Sequence, residues 1–279
     1  MDDKTRVIQR IRSTQLDNSE TNLTDPKVND PTVNEIKDAM IAVETEYKMS
    51  EIIRDRILKY NEAVIEDEEE VTFRCNDNIS AFIKDEEELD WLVDEVTKNM
   101  EAVLSSLVID VDNDHNTRDT ARRVAKMMVK ETFSGRFIPE PTVTAFPNMG
   151  YAGLYTTGPI SIRSTCAHHF QNIVGKCWVG VVPDKEVIGL SKFNRIVHHI
   201  AERPQIQEEL TTQVAKALKR FTKSENIAVV IKAEHHCMTH RGVKEHESDM
   251  VTTLLSGSFE DNDALRAEFY SIIQNLRSF

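Results

Sequence analysis

Two short segments carry the residues that can do metal chemistry. In the first, Ser164-Thr165-Cys166-Ala167-His168-His169-Phe170, Cys166 and His169 stand three apart, so one stretch of chain can offer a thiolate and an imidazole to one ion. The second, Glu234-His235-His236-Cys237-Met238, adds another thiolate. Zinc takes sulfur and nitrogen donors in tetrahedral geometry without a directional preference of its own. Cys166, His169 and Cys237 give three protein donors and leave a fourth corner for water, the pattern of a catalytic zinc rather than a structural one. Zn2+ is therefore the expected cofactor.

Something rigid must hold these segments. Residues 157–166 read as a strand that runs directly into Cys166, and Ile173, Gly175, Cys177, Val179 and Val181 alternate with polar or small residues as a second strand does. Pro183-Asp184-Lys185-Glu186 is turn chemistry. A short apolar strand, 227–233, delivers the second segment, and Val251 to Leu255 gives a fourth strand. Helices surround them. Leu89, Leu92, Val93, Val96, Met100, Val103, Leu104 and Leu107 make an apolar stripe behind an acidic Asp85–Glu88 start, which suits a helix N-terminus. Another helix follows Asp119-Thr120, a third begins near Ser191, and Pro204 opens a fourth with the stripe Leu210, Val214, Ala217, Leu218 and Phe221. Leu265, Phe269, Ile272, Ile273 and Leu276 predict a terminal helix. This order implies an α+β fold, an antiparallel sheet with helices packed on one face.

Anion-binding features recur along this frame. Lys192 and Arg195 lie three apart at the start of the third helix, where Ser191 is the expected N-cap. Cations in a first turn oppose the helix dipole, and a bound anion would offset that cost; a plain capped surface helix is the equal alternative. Arg123 and Lys126 project from one face of the second helix, as a phosphate contact or as solvated surface. Glu208 can accept from the ring N–H and exocyclic amine of a guanine edge, or simply favour its own helix start.

The bulk properties narrow the class. The chain has 279 residues, 29% of them charged, and a net charge of −13, which argues against non-specific nucleic-acid binding. No apolar stretch approaches the roughly 18 residues of a membrane span, and the polar start has no signal-peptide core. Four dispersed cysteines do not make a disulfide framework, and Cys75 and Cys177 read as ordinary thiols, so a cytoplasmic, reducing setting is expected. Residues 1–30 read as a loose arm, Asn34 to Tyr60 as helical, and Glu66 to Glu70 as a solvated acidic linker rather than a docking tail. The expected division is an acidic, partly helical or disordered extension over 1–80 and a catalytic domain over 81–279.

Together these motifs resemble the GTP cyclohydrolase I family. The residues that carry the resemblance are Ser164 to Phe170, Gly189 to Arg195 (GLSKFNR), Arg203 to Thr211 (RPQIQEELT) and His235 to Gly242 (HHCMTHRG), with Arg123 to Lys126 in support. It spans roughly residues 86 to 276. The resemblance implies a tunnelling fold, zinc held by Cys166, His169 and Cys237, and His168 and His235 moving protons. It implies that Ser191, Lys192, Arg195 and Arg241 hold a triphosphate, with Arg123 and Lys126 arriving from a neighbouring subunit. Gln207 and Glu208 would anchor guanine. The implied reaction opens the imidazole ring of GTP at C8, releases formate and forms 7,8-dihydroneopterin triphosphate, a pterin precursor. The implied assembly is a homo-oligomer, a decamer with active sites between subunits.

Two residues depart from the family pattern. Ala167 stands where the family usually has Glu, and Glu209 where it usually has Arg. They are the only support for a rival reading, a GTP- and zinc-binding scaffold without turnover. A zinc nucleobase deaminase would need a P-C-x-x-C, and the chain has no C-x-x-C.

Overall fold

Apolar spacing and caps account for the helices that precede the sheet. The computed structural model describes residues 48–64 and 73–275. The expected arm over 1–30, the first part of the Asn34–Tyr60 helix, the 66–70 acidic run and Leu276 lie outside the described residues. Helix α1 (Met49–Val64) buries Met49, Ile53 and Ile57 at steps of four. Helix α2 (Glu86–Ser106) starts where expected: Asp85 caps it by accepting from the Glu88 N–H at 3.0 Å, and three glutamates fill its first turn. Arg56 clamps the buried Glu88 carboxylate with two guanidinium nitrogens, each at 2.6 Å, and so joins α1 to α2. That bond holds the Glu88 carboxyl below the usual carboxylate range against the opposing effect of burial. Helices α3 (Thr120–Met127) and α4 (Ser134–Phe137) follow; Ala125 and Val129 complete the apolar cluster with Ile79, Leu92 and Val93.

The sheet is built from the alternating segments. Strands β1 (Ala145–Pro147), β2 (Tyr155–Cys166), β3 (Asn172–Val181) and β4 (Glu186–Ile188) come next, then helix α5 (Leu190–Ala201) and the two-residue strand β5 (Pro204–Gln205). Helix α6 (Gln207–Thr222), strand β6 (Ile227–His235), helix α7 (His236–Thr239) and strand β7 (Asp249–Leu255) precede helices α8 (Ser258–Asp261) and α9 (Asp263–Asn275). The main sheet has the order β5-β2-β3-β6-β7, antiparallel except for the β2–β5 pair, and β1 with β4 forms a separate ribbon. The fold is thus α+β with an antiparallel sheet, as expected. The ribbon and β5 were not foreseen, because two or three residues carry no readable period.

Helices α5 and α6 cover one sheet face. Cys177, Val179, Val181, Val229 and Ile231 meet Ile196, Val197 and Ile200 of α5 and Leu210, Val214 and Leu218 of α6 in the largest core. The alternate residues Trp178, Ala228 and Val230 pack instead with Phe259 and with Phe269 and Ile273 of α9. One detail corrects the sequence reading: Gly189, in extended backbone, is the N-cap of α5, and Ser191 is its second residue.

Candidate functional site

Topology brings the two motif segments together. Strands β2 and β6 both run antiparallel to β3 and flank it, so they run parallel to each other and finish at the same end of the sheet. Cys166 is the last residue of β2 and His235 the last of β6. Neighbouring strands lie about 4.8 Å apart, so these ends are two strand widths apart and their side chains can converge across the start of β3. Gly175 keeps that crossing tight, since a Cβ there would lie 2.2 Å from the Lys232 carbonyl oxygen.

Cys166 is buried and pinned from both sides. Its N–H donates to the Gln171 carbonyl at 2.8 Å, its carbonyl accepts from the Phe170 N–H at 2.9 Å, and its register partner on β5 is Gln205. The turn that carries Ala167, His168 and His169 is held by an Ala167 N–H bond to the Gln205 carbonyl at 3.1 Å. Phe170 closes it with a left-handed φ of 52°, a conformation that costs a non-glycine residue, and His168 and His169 on this turn are exposed. His168 Nδ1 lies 3.8 Å from Cys166 Sγ.

The His235 tautomer follows from Gln207. The Gln207 side chain is fully buried, and the two hydrogens of its Nε2 are shared among three acceptors, the carbonyls of Ile231 and Met250, both at 3.1 Å, and Thr252 Oγ1 at 3.0 Å. Carbonyl oxygens only accept, so the amide orientation is fixed with Oε1 toward His235 Nε2 at 2.8 Å. His235 Nε2 therefore carries the proton, and Nδ1 holds the lone pair. Burial pushes the His235 imidazole below its ordinary value and the nearby Glu208 carboxylate pulls it back only in part, so the ring rests neutral.

One donor atom from each of Cys166, His235 and Cys237 lies within 4.8 Å of the other two. Burial, first, and then the adjacent Cys166 thiol push the Cys237 thiol up, while the Arg241 guanidinium opposes that rise. Two thiols and a neutral imidazole, in a place that disfavours an uncompensated thiolate, fit a soft-to-borderline cation that takes sulfur and nitrogen. Glu234, His236 and His240 form a second group, one donor atom of each within 4.8 Å of the other two.

The expected site residues separate into two sets. Cys166, Cys237, His168, His235, Gln207, Glu208 and Arg241 are brought together by direct contact or by their effect on one another's ionisation. His169 stands on the exposed turn, its ring 6.5 Å from that of His168, and His235 rather than His169 completes the donor group. On α5, Ser191 and Arg195 are exposed and Lys192 Nζ donates to the Thr142 carbonyl at 3.0 Å. Arg123 and Lys126 are exposed on α3, where Arg123 pairs with Asp119 at 3.1 Å. Glu208 borders an open pocket of about 210 Å3 with Thr211, Thr212, Thr252, Thr253 and Leu254. Sequence reasoning missed that the Gln207 side chain orients His235; no spacing signal links residues on different elements.

Fold and donor set together define an α+β protein with a thiol–imidazole donor group where two strands of the sheet end. Comparison with known proteins narrows this: the GTP cyclohydrolase I family matches residues 96–274. The protein named GTP cyclohydrolase 1 in Shewanella amazonensis is 43% identical over 178 residues, covering 63% of this chain and 82% of that protein. Its namesakes in two Shewanella baltica strains, OS185 and OS195, are each 42% identical over 178 residues, with the same two coverages. The chain belongs to the GTP cyclohydrolase I family of enzymes.

Proposed function

We propose that this chain hydrolyses GTP at C8 of guanine, yielding formate and 7,8-dihydroneopterin triphosphate with the net consumption of one water. The observation that carries this reading is the convergence of Cys166, Cys237 and His235 at one end of the sheet in a chain of this family. Cys166 and Cys237, with His169 from the adjoining turn, would hold zinc. Bound there, zinc supplies Lewis acidity that makes water a nucleophile near neutral pH.

The chain's own groups account for the remaining steps. His235, neutral and with its Nδ1 lone pair available, accepts a proton from the attacking water and returns it to the departing purine nitrogen. His168, beside Cys166, is the second proton carrier. Glu208, at the pocket beside α6, accepts from the guanine ring N–H and exocyclic amine. With the Gln207 side chain committed to His235, its contribution to guanine comes through the α6 N-terminus, whose first N–H groups lack intrahelical partners. Ser191, Lys192 and Arg195 at the α5 N-terminus and Arg241 beside Cys237 hold the triphosphate, and that remote grip fixes where C8 lies.

Arg123 and Lys126 are assigned to a neighbouring subunit's substrate, within a homo-oligomer, a decamer on the family pattern. Support comes from β7, an edge strand that exposes Val251, and from the exposed Leu107 and Val108 after α2. We keep the functional division near residue 80, with catalysis in 81–279; the family match begins at residue 96. The deciding experiment is formate release from GTP by the zinc-loaded protein beside a Cys237→Ser control. Formate from the wild type alone supports the reading. Bound zinc and GTP without formate would leave a scaffold instead.

A further inference from the structure

Residues 234–240 supply two groups of metal donors, and only one of them has been used above. His235 and Cys237 face Cys166, while Glu234, His236 and His240 gather separately, one donor atom of each within 4.8 Å of the other two. We propose that Glu234, His236 and His240 form a second, sulfur-free site for a first-row transition-metal dication.

The local geometry favours this. His236 opens α7 and His240 follows four residues later, the spacing that places two side chains on one helix face; their ring centroids are 4.2 Å apart. The His240 N–H donates to the His236 carbonyl at 3.1 Å, which closes the turn and keeps the pair in register. Glu234, near the end of β6, brings a carboxylate oxygen to 3.9 Å from His236 Nε2. Its cross-strand neighbour Asp249 already engages Lys232 at 2.6 Å, so the lysine is drawn to Asp249 rather than to Glu234.

The surroundings of His240 resemble those of a ligating imidazole. Its Nδ1 lies 2.9 Å from the hydroxyl of Thr239, a residue only 1% exposed. With Nδ1–H donating to that hydroxyl, the ring is oriented and Nε2 is the nitrogen left for a cation, the support that metal-bound histidines usually have. Two imidazoles and a carboxylate suit Co2+, Ni2+, Cu2+ or Zn2+ and leave coordination positions for water. Donors around such an ion sit about 3 Å apart at metal–nitrogen distances of about 2.0–2.1 Å. Closing from 4.8 Å to that spacing takes rotation of the half-buried Glu234 and His236 side chains toward His240 Nε2.

The test is a Co2+ titration of the metal-stripped full-length chain, followed by optical spectroscopy and by counting bound metal. Two equivalents are expected. One shows a thiolate-to-cobalt charge-transfer band and disappears in Cys237→Ser. The other lacks that band and disappears in His240→Ala and in Glu234→Gln, both of which keep the charge-transfer signal. Thr239→Val should weaken it about tenfold. A single equivalent in the wild type, or a second one unchanged in both His240→Ala and Glu234→Gln, overturns the proposal. Neither readout depends on GTP turnover, so failure of the proposed reaction would leave this result standing.

Discussion

Asn76 Nδ2 donates to Glu209 Oε2 at 2.7 Å across a sequence separation of 133 residues, joining the segment before the family match to the first turn of α6. Glu209 is one of the two departures from the family pattern, and this bond gives it a structural occupation. Asn76 is 3% exposed, and its carbonyl also accepts from Arg203 Nη1 at 3.2 Å. Asn76→Ala should therefore cost about 1.5–3 kcal/mol in denaturant unfolding, the range for a hydrogen bond to a charged group. A double-mutant cycle with Glu209→Ala isolates the pair. Strictly additive single effects would show that the two residues do not cooperate.

The Gln207–His235 bond makes a kinetic prediction. Gln207→Leu frees the imidazole to take either tautomer, and kcat should fall about a hundredfold, the scale of a misplaced general base. Zinc content should hold, since no proposed donor is removed. An unchanged kcat would mean that the amide does not control the ring.

Metal retention separates the two candidate imidazoles. Cys166→Ser and Cys237→Ser should each lose zinc on dialysis. His169→Ala should lose most of it, while His235→Ala should keep zinc and lose formate release. The opposite pattern, zinc lost only with His235→Ala, would assign the third donor to the imidazole that groups with the two thiols in this structure.

The acid limb of activity should lie low. Burial holds His235 below 6.5, with Glu208 as the opposing influence, so the neutral base persists as pH falls through 6.5. Glu208→Gln removes the carboxylate that favours the charged ring, and the acid limb of kcat/KM should move further down. A limb that moves up in this variant would assign it to another group.

His199 predicts a pH-dependent stability. It is 6% exposed, and burial, helped by the Arg203 charge and opposed by Glu140, lowers it from 6.5 to about 4. Its Nε2 faces the Asn78 Nδ2 donor at 3.3 Å, so a protonated ring would set donor against donor. Between pH 6.5 and 4 the unfolded chain binds a proton that the folded chain refuses. Stability is therefore full above 6.5 and declines as pH falls toward 4. His199→Gln should flatten that decline in chemical denaturation at stepped pH; an identical slope would exclude His199 as its source.

The sequence by itself determined a good deal. Cys166, Cys237 and the histidines marked a candidate donor group through residue type and short spacing, and the strands and long helices followed from apolar periods of two and about three and a half. What it could not contain were relations between elements. That β2 and β6 flank β3 and finish at one end of the sheet is a consequence of strand order, which no local pattern encodes. Gln207 looks from the sequence like a polar residue at a helix start; only the packing of α6 against β6 and β7 buries it and turns its amide toward His235. Glu209 looked like a defect until Asn76 stood opposite it. Local chemistry is written in neighbouring residues, whereas tautomer, ion-pair partner and the membership of a donor group depend on which distant backbones the core brings into contact.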